Sequence, residues 1–244
     1  MGRIRVGTSG WAYKAWKPEF YPSDLPQKGF LEYYGTQLGS CEINATFYRR
    51  QSDETFQKWR DAVPDDFKFA IKGHRAISYT LDLSITERKQ EIISGFAESL
   101  ENLDQKLGPV MLQFPHKDPQ PDAVIALVDA LPSSIPYALD FKRADVWDTS
   151  DLRNALAVSG ATVCFSDRSG DPPKSLPPGP VAYVRLRVER YSESQRSAWL
   201  ELLRKEAAER DVYLYVKHEE GPADDPLAGV ALARWFTEQV SGER

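Results

Sequence analysis

Two segments late in the chain show the pattern that organises the rest. From Val181 to Arg187, Ala182, Val184 and Leu186 fall on one side at a period of two, and Tyr183, Arg185 and Arg187 on the other. From Val212 to Lys217 the pattern repeats, with Val212, Leu214 and Val216 against Tyr213, Tyr215 and Lys217. A period of two is that of a strand. Six further short apolar runs read the same way: Ile4 to Gly7, Cys41 to Asn44, Phe67 to Lys72, Val110 to Phe114, Tyr137 to Phe141 and Thr162 to Ser166. Helical spacing lies between most of them. Ile85 to Leu103 sets Ile92, Phe96, Leu100 and Leu103 on one face, and Ser84 with Glu87 predicts a capping box. Ser192 with Gln195 opens a second helix through Trp199, Leu202 and Leu203. Weaker helical patterns cover Asp53 to Ala62, Asp122 to Leu131, Thr149 to Val158 and Leu227 to Val240.

Strand–helix alternation carried through eight strands predicts an α/β fold, a parallel (β/α)8 barrel of the TIM type. The 244 residues match one such domain spanning 1–244. Asp171 to Pro180 breaks the alternation: its five prolines predict a stiff rim loop in place of a helix. A long aromatic stretch, holding Trp11, Tyr13, Trp16, Phe20 and Tyr21, follows the first strand.

Helices wrapped around a barrel require the outer parity of each strand to be apolar, so the polar parity points inward. That parity collects Arg5 and Gly7, Glu42 and Asn44, Lys72, Gln113, Asp140 and Lys142, Arg185 and Lys217. Most stand at the carboxyl ends of their strands, where barrel enzymes carry their chemistry. Among them are five cations and two carboxylates, and buried cations in excess are best satisfied by an anionic ligand. The competing expectation is an internal ion-pair network with no ligand. On the first reading Glu42 and Asp140 are the acid and base. Lys72 binds phosphate or pairs with a carboxylate, or forms a Schiff base if its pKa is depressed. Arg185 suits a bidentate clamp and Lys217 a point-charge contact. Trp11, Tyr48 and Tyr183 are candidate ligand contacts, as are Asn44, Gln113 and Lys142.

Overall charge is −5, so no global attraction to nucleic acid or an anionic membrane is expected. Cys41 and Cys164 fall in the second and sixth strands, too far apart for a disulfide, which predicts free thiols and a cytoplasmic setting. The start of the chain runs into a strand with no signal-peptide core. The three histidines, His74, His116 and His218, are scattered, and no HExxH, paired-cysteine, GxSxG, Walker or GxGxxG pattern occurs. No cofactor and no metal are expected. Three functions compete: an acid–base enzyme (hydrolase, lyase or isomerase) on a small anionic metabolite, a nucleic-acid backbone binder or phosphodiesterase, and a non-catalytic ligand-binding or interaction protein.

Several blocks resemble a known family. Gly7-Thr-Ser-Gly-Trp11 with Tyr13 and Trp16, Phe20-Tyr-Pro22, and Glu42-Ile-Asn-Ala-Thr-Phe-Tyr48 are similar to the YecE-like proteins, domain-of-unknown-function family 72. Phe67 to Lys72, Leu107 to Pro115, Tyr183 to Leu186 and Val212 to Tyr215 extend the likeness. The resemblance implies a TIM-type barrel and no established reaction. It places the family's polar signature on Glu42, Asn44, Tyr48, Lys72, Asp140 and Arg185. Where the family tends to Glu-Phe-Arg-His, this chain has Asp140-Phe-Lys-Arg143. Tyr79 stands in for a histidine, Arg185-Leu-Arg-Val188 for Arg-Leu-His-Gly, and Lys217-His218 for a pair of asparagines. These departures remove histidines and add cations, so histidine or metal chemistry does not carry over and an anionic ligand is favoured.

Overall fold

The structure, a computed structural model, describes residues 2–80, 82–115, 120–142, 149–217 and 223–241. Its strands are β1 (Ile4–Thr8), β2 (Ser40–Ile43), β3 (Lys68–Lys72), β4 (Leu107–Phe114), β5 (Tyr137–Phe141), β6 (Ala161–Val163), β7 (Phe165–Asp167), β8 (Val181–Leu186) and β9 (Asp211–Val216). Every pairing is parallel. One expected strand is two: Cys164 interrupts the sixth, so β6 pairs with β5 while β7 pairs with β8.

The staves of this TIM-type barrel therefore hydrogen-bond as two arcs, β7-β8-β9-β1 and β2-β3-β4-β5-β6. The arcs meet at two seams. At one, the chain itself passes from β6 to β7. At the other, a single bridge joins Ser9 to Glu42. The Tyr34 hydroxyl stands in for ladder bonds there, accepting from Thr8 N–H at 2.9 Å and donating to Ser40 O at 3.0 Å. Gly7 permits this approach, since a Cβ on it would sit 1.9 Å from Ser40 O.

Eight α-helices are described: α1 (Phe30–Gln37), α2 (Asp53–Asp61), α3 (Arg75–Ser78), α4 (Glu87–Leu100), α5 (Pro121–Asp129), α6 (Ser150–Val158), α7 (Glu193–Ala207) and α8 (Gly229–Ser241). The Ser192–Gln195 capping box forms as expected. The one expected at Ser84 does not. Thr86 caps α4 by accepting from Lys89 N–H, while Ser84 N–H is turned back to Asp82 Oδ1 at 2.8 Å. α1 lies between the first two strands, where no helix is assigned from the sequence, and buries Phe30, Leu31 and Tyr34. Its eight residues, including Gly35, give too short a period to register as a helix. The proline-rich segment is helix-free as expected, but it is more than a rim loop. Pro178 O accepts from Thr162 Oγ1 and Gly179 O from Arg210, so the run descends beside the barrel where a helix would pack.

The apolar parity of the strands forms the main core with the helices. A second cluster fills the barrel interior, with Ala70, Met111, Ala138 and Cys164 packed against Tyr183, Tyr213 and Tyr215. Ala70 and Ala138 on one arc make room for the large tyrosines on the other, as close packing demands. Cys41 and Cys164 are both buried free thiols. Among the described residues no helix is long and apolar enough to cross a membrane.

Candidate functional site

Above the tyrosine layer the inward parity turns polar. Gln113 and Asp140 are register partners, as are Ser166 and Arg185, which puts four polar side chains on neighbouring staves at one height. Arg185 is the hub. Its Nη2 donates to Glu42 Oε1 at 3.0 Å and its Nη1 to Asp140 Oδ2 at 2.9 Å. Asp140 also accepts from Gln113 Nε2 at 2.8 Å and Ser166 Oγ at 3.1 Å. Glu42, fully buried, accepts from Ser9 Oγ at 2.7 Å and Tyr183 OH at 2.8 Å. Longer contacts of 3.5 Å bring Asn44 Nδ2 and Arg187 Nη2 to the same Oε1.

These contacts settle the charge states. Burial by itself would raise the Glu42 pKa, but Arg185 and Arg187, helped by Ser9 and Tyr183, pull it down to about 2. Asp140 is likewise lowered: burial opposes ionisation, and Arg185 and Gln113 outweigh it. Burial disfavours the Arg185 cation, and the two carboxylates more than reverse this. Arg187 is shifted the other way, by burial and by Arg185 beside it. Two carboxylates thus stand against two guanidiniums, and this inner set is neutral. Among the described residues the Nε–H groups of both Arg185 and Arg187 are buried without an acceptor.

Lys72 is different. It is 9% exposed, and its Nζ lies 4.2 Å from the centre of the Phe47 ring. Among the described residues it has no hydrogen-bond acceptor and no ion-pair partner. Burial, then Arg185, lowers its pKa to about 8, against the opposing pull of Glu42 and Asp140. Thr46 Oγ1 donates to the Lys72 carbonyl at 2.7 Å, and Gly73 N–H to Met111 O at 2.8 Å, so the strand end that carries it is fixed. Lys142 acts electrostatically on both Lys72 and Asp140.

Of the residues singled out by parity, Glu42, Asn44, Gln113, Asp140, Tyr183 and Arg185 are joined by direct bonds, with Lys72 and Lys142 beside them. Others lie apart. Trp11 packs edge-on against Trp59 at 5.6 Å, and Tyr48 is 69% exposed, edge-on to Phe47. Lys217 donates its backbone N–H to Leu186 O. Arg5 belongs to the opposite end, where its Nη1 donates to Asp66 O at 2.6 Å. Arg143, His116 and His218 lie outside the described residues. Ser9, Ser166 and Arg187 were not among the expected site residues. The parity that selected Gly7 and Arg185 reaches Ser9 and Arg187 two positions on, and Ser166 follows Cys164 in the same way.

A cavity of about 440 Å³ opens at the amino end of the barrel, lined by Arg3, Arg5, Asp66, Arg204 and Val240 among others. It lacks the converging carboxylates and amine of the carboxyl end, and barrels place their chemistry at that carboxyl end. The candidate site is therefore the polar cluster around Arg185 and Lys72.

The likenesses to known proteins agree with this architecture. The chain is 24% identical over 155 residues to the UPF0759 protein YecE of Escherichia coli (strain K12), covering 63% of this chain and 53% of that protein. It is 27% identical over 115 residues to the UPF0759 protein YunF of Bacillus subtilis (strain 168), covering 46% and 40%. The matched stretches thus span about half the length of these curated relatives. A crystal structure of a DUF72 family protein from Thermotoga maritima superposes with a TM-score of 0.76 at 22% identity, covering 98% of this chain and 99% of that one. The family model described as "Protein of unknown function DUF72" matches residues 5–243, from the first strand to beyond the last helix, and the chain belongs to that family.

Proposed function

We propose that the protein binds a small anionic metabolite, bearing phosphate or carboxylate, at the carboxyl end of its barrel. One observation carries this reading: Lys72 is a buried lysine whose ammonium has no acceptor among the described residues, while Glu42 and Asp140 are both committed to Arg185. A buried cation without a partner is costly, and an anion relieves that cost. Lys142, whose charge acts on both Lys72 and Asp140, supplies a further cation for it.

The same geometry changes the roles assigned to the carboxylates. Glu42 is ionised at neutral pH and Oε1 is crowded with donors, so it is a poor acid and an occupied base. In this reading Glu42 and Asp140 hold Arg185 in place and do not exchange protons with the ligand. Their saturation is also the observation that favours a second reading, ligand binding without turnover.

Isothermal titration of the protein with inorganic phosphate tests the proposal. One site per chain is expected, weakened at least tenfold by Lys72→Ala. Equal binding by the variant, or none by the parent at 10–50 mM phosphate (roughly the weak limit of single-site anion binding), refutes it.

A further inference from the structure

We infer that Lys72 is a covalent attachment point whose amine condenses with the carbonyl group of a small anionic ligand, a 2-oxo acid or a phosphorylated aldehyde, to form an imine. The inference rests on the anion-binding reading above and names the ligand class for it.

Three features of the site support it. Lys72 sits on the end of β3 with the backbone there fixed by Thr46 and Gly73, so the base of its side chain is held in place. The side chain is enclosed, with the Phe47 ring against Nζ and, among the described residues, no carboxylate paired to it. A lysine retained for ion pairing alone would take Glu42 or Asp140, yet both go to Arg185. Two further cations, Arg185 and Lys142, act on Lys72, so a ligand carrying both functions meets amine and positive charge together.

Burial and the neighbouring guanidinium also favour the free amine, the nucleophilic form. With a pKa of about 8, roughly a quarter of Lys72 is unprotonated at pH 7.5, against about one in a thousand for an ordinary lysine.

The step balances without an oxidant or other co-reactant. The ammonium first gives one proton to solvent, and the amine lone pair attacks the carbonyl carbon. The C=O π pair moves to oxygen, which takes up two protons, one of them returned from nitrogen through solvent. The C–O bond then breaks, water leaves, and the nitrogen lone pair closes the C=N bond. The nitrogen keeps its remaining proton, so the product is the iminium and carries the single positive charge of the starting ammonium.

Borohydride trapping tests the inference on the full chain. Glyoxylate, the least demanding 2-oxo acid, and pyridoxal 5′-phosphate, an aldehyde bearing phosphate, are each supplied at one equivalent at pH 7.5. Reduction and peptide mass mapping follow. The expected result, with at least one probe, is a reduced adduct concentrated tenfold or more at Lys72 over the exposed Lys14 and Lys28. Excess inorganic phosphate should suppress it. Lys72→Arg retains the cation but cannot form an imine, so it should still bind phosphate by titration and lose the adduct. Adducts spread over exposed lysines with both probes, or an undiminished yield in Lys72→Arg, overturn the inference. Phosphate binding without selective trapping defeats the imine and leaves the anion site standing, whereas absence of phosphate binding defeats both.

Discussion

Replacing Arg185 by Gln removes one charge, shortens the side chain and strands two carboxylates. Glu42 keeps Ser9, Tyr183 and the longer contact to Arg187, and Asp140 keeps Gln113 and Ser166, but each loses its principal cation. The size of the loss follows from Glu42. Its pKa lies at about 2 instead of the ordinary 4.5, and at about 1.4 kcal/mol per pH unit the gap is worth about 3 kcal/mol at neutral pH. Because this folded-state value is depressed, the stabilisation is complete above the ordinary value and is lost as pH falls from about 5 towards 2. Removing one partner of a buried pair costs about 3–5 kcal/mol. For a chain of this length that corresponds to a fall in Tm of roughly 10 °C. Urea unfolding followed by circular dichroism at pH 7 and pH 5 measures it. In the variant both carboxylates titrate nearer or above their ordinary range, so acid relieves its penalty and the gap to the parent narrows at pH 5. A loss below about 1 kcal/mol at pH 7, or a gap that does not narrow, would mean that Arg185 does not set the charge state of this cluster.

Three further perturbations probe neighbouring features. Tyr34→Phe leaves Thr8 N–H and Ser40 O without their shared hydroxyl at the β1–β2 seam and should cost about 1–3 kcal/mol by urea unfolding; an unchanged midpoint refutes that role. Gly7→Ala drives a Cβ into Ser40 O and should cost about 2 kcal/mol or more, seen as a lowered Tm. Lys72→Met keeps the contact with Phe47 and removes a charge that folding desolvates, so at pH 7 it should stabilise by about 2 kcal/mol after allowance for partial wetting. Since Lys72 titrates at about 8 in the fold and 10.5 ordinarily, parent stability rises between those pH values, and the advantage of the variant should fade by pH 10.5. An advantage that stays constant with pH would separate it from the titration of Lys72.

The strands were legible because their two faces meet different surroundings. Ala182, Val184 and Leu186 face helices, while Tyr183 and Arg185 face the barrel interior, so parity alone oriented β8. The break at Cys164 was not legible, because a strand that changes partners midway keeps its period. α1 was missed because only Phe30, Leu31 and Tyr34 mark its buried face, amid aromatic residues on both sides in sequence. Sequence counting also found a cationic excess without saying how it divides. That division depends on side-chain reach: Arg185 spans from β8 to β2 and β5 and takes both carboxylates, whereas Lys72 stops against Phe47. Arg5 shares the inward parity but lies at the foot of β1, so parity had to be combined with height along the strand.

The division of the barrel into two arcs gives Arg185 a second consequence. Its bonds to Glu42 and Asp140, that of Tyr183 to Glu42, that of Tyr215 to Ser40 and that of Ser166 to Asp140 all run from one arc to the other. They fasten halves whose backbones share few ladder bonds at the junctions. A guest that competes for this guanidinium would therefore loosen the stave joints, and occupancy would be readable far from the guest itself, as faster amide exchange at Ser9 and Cys164.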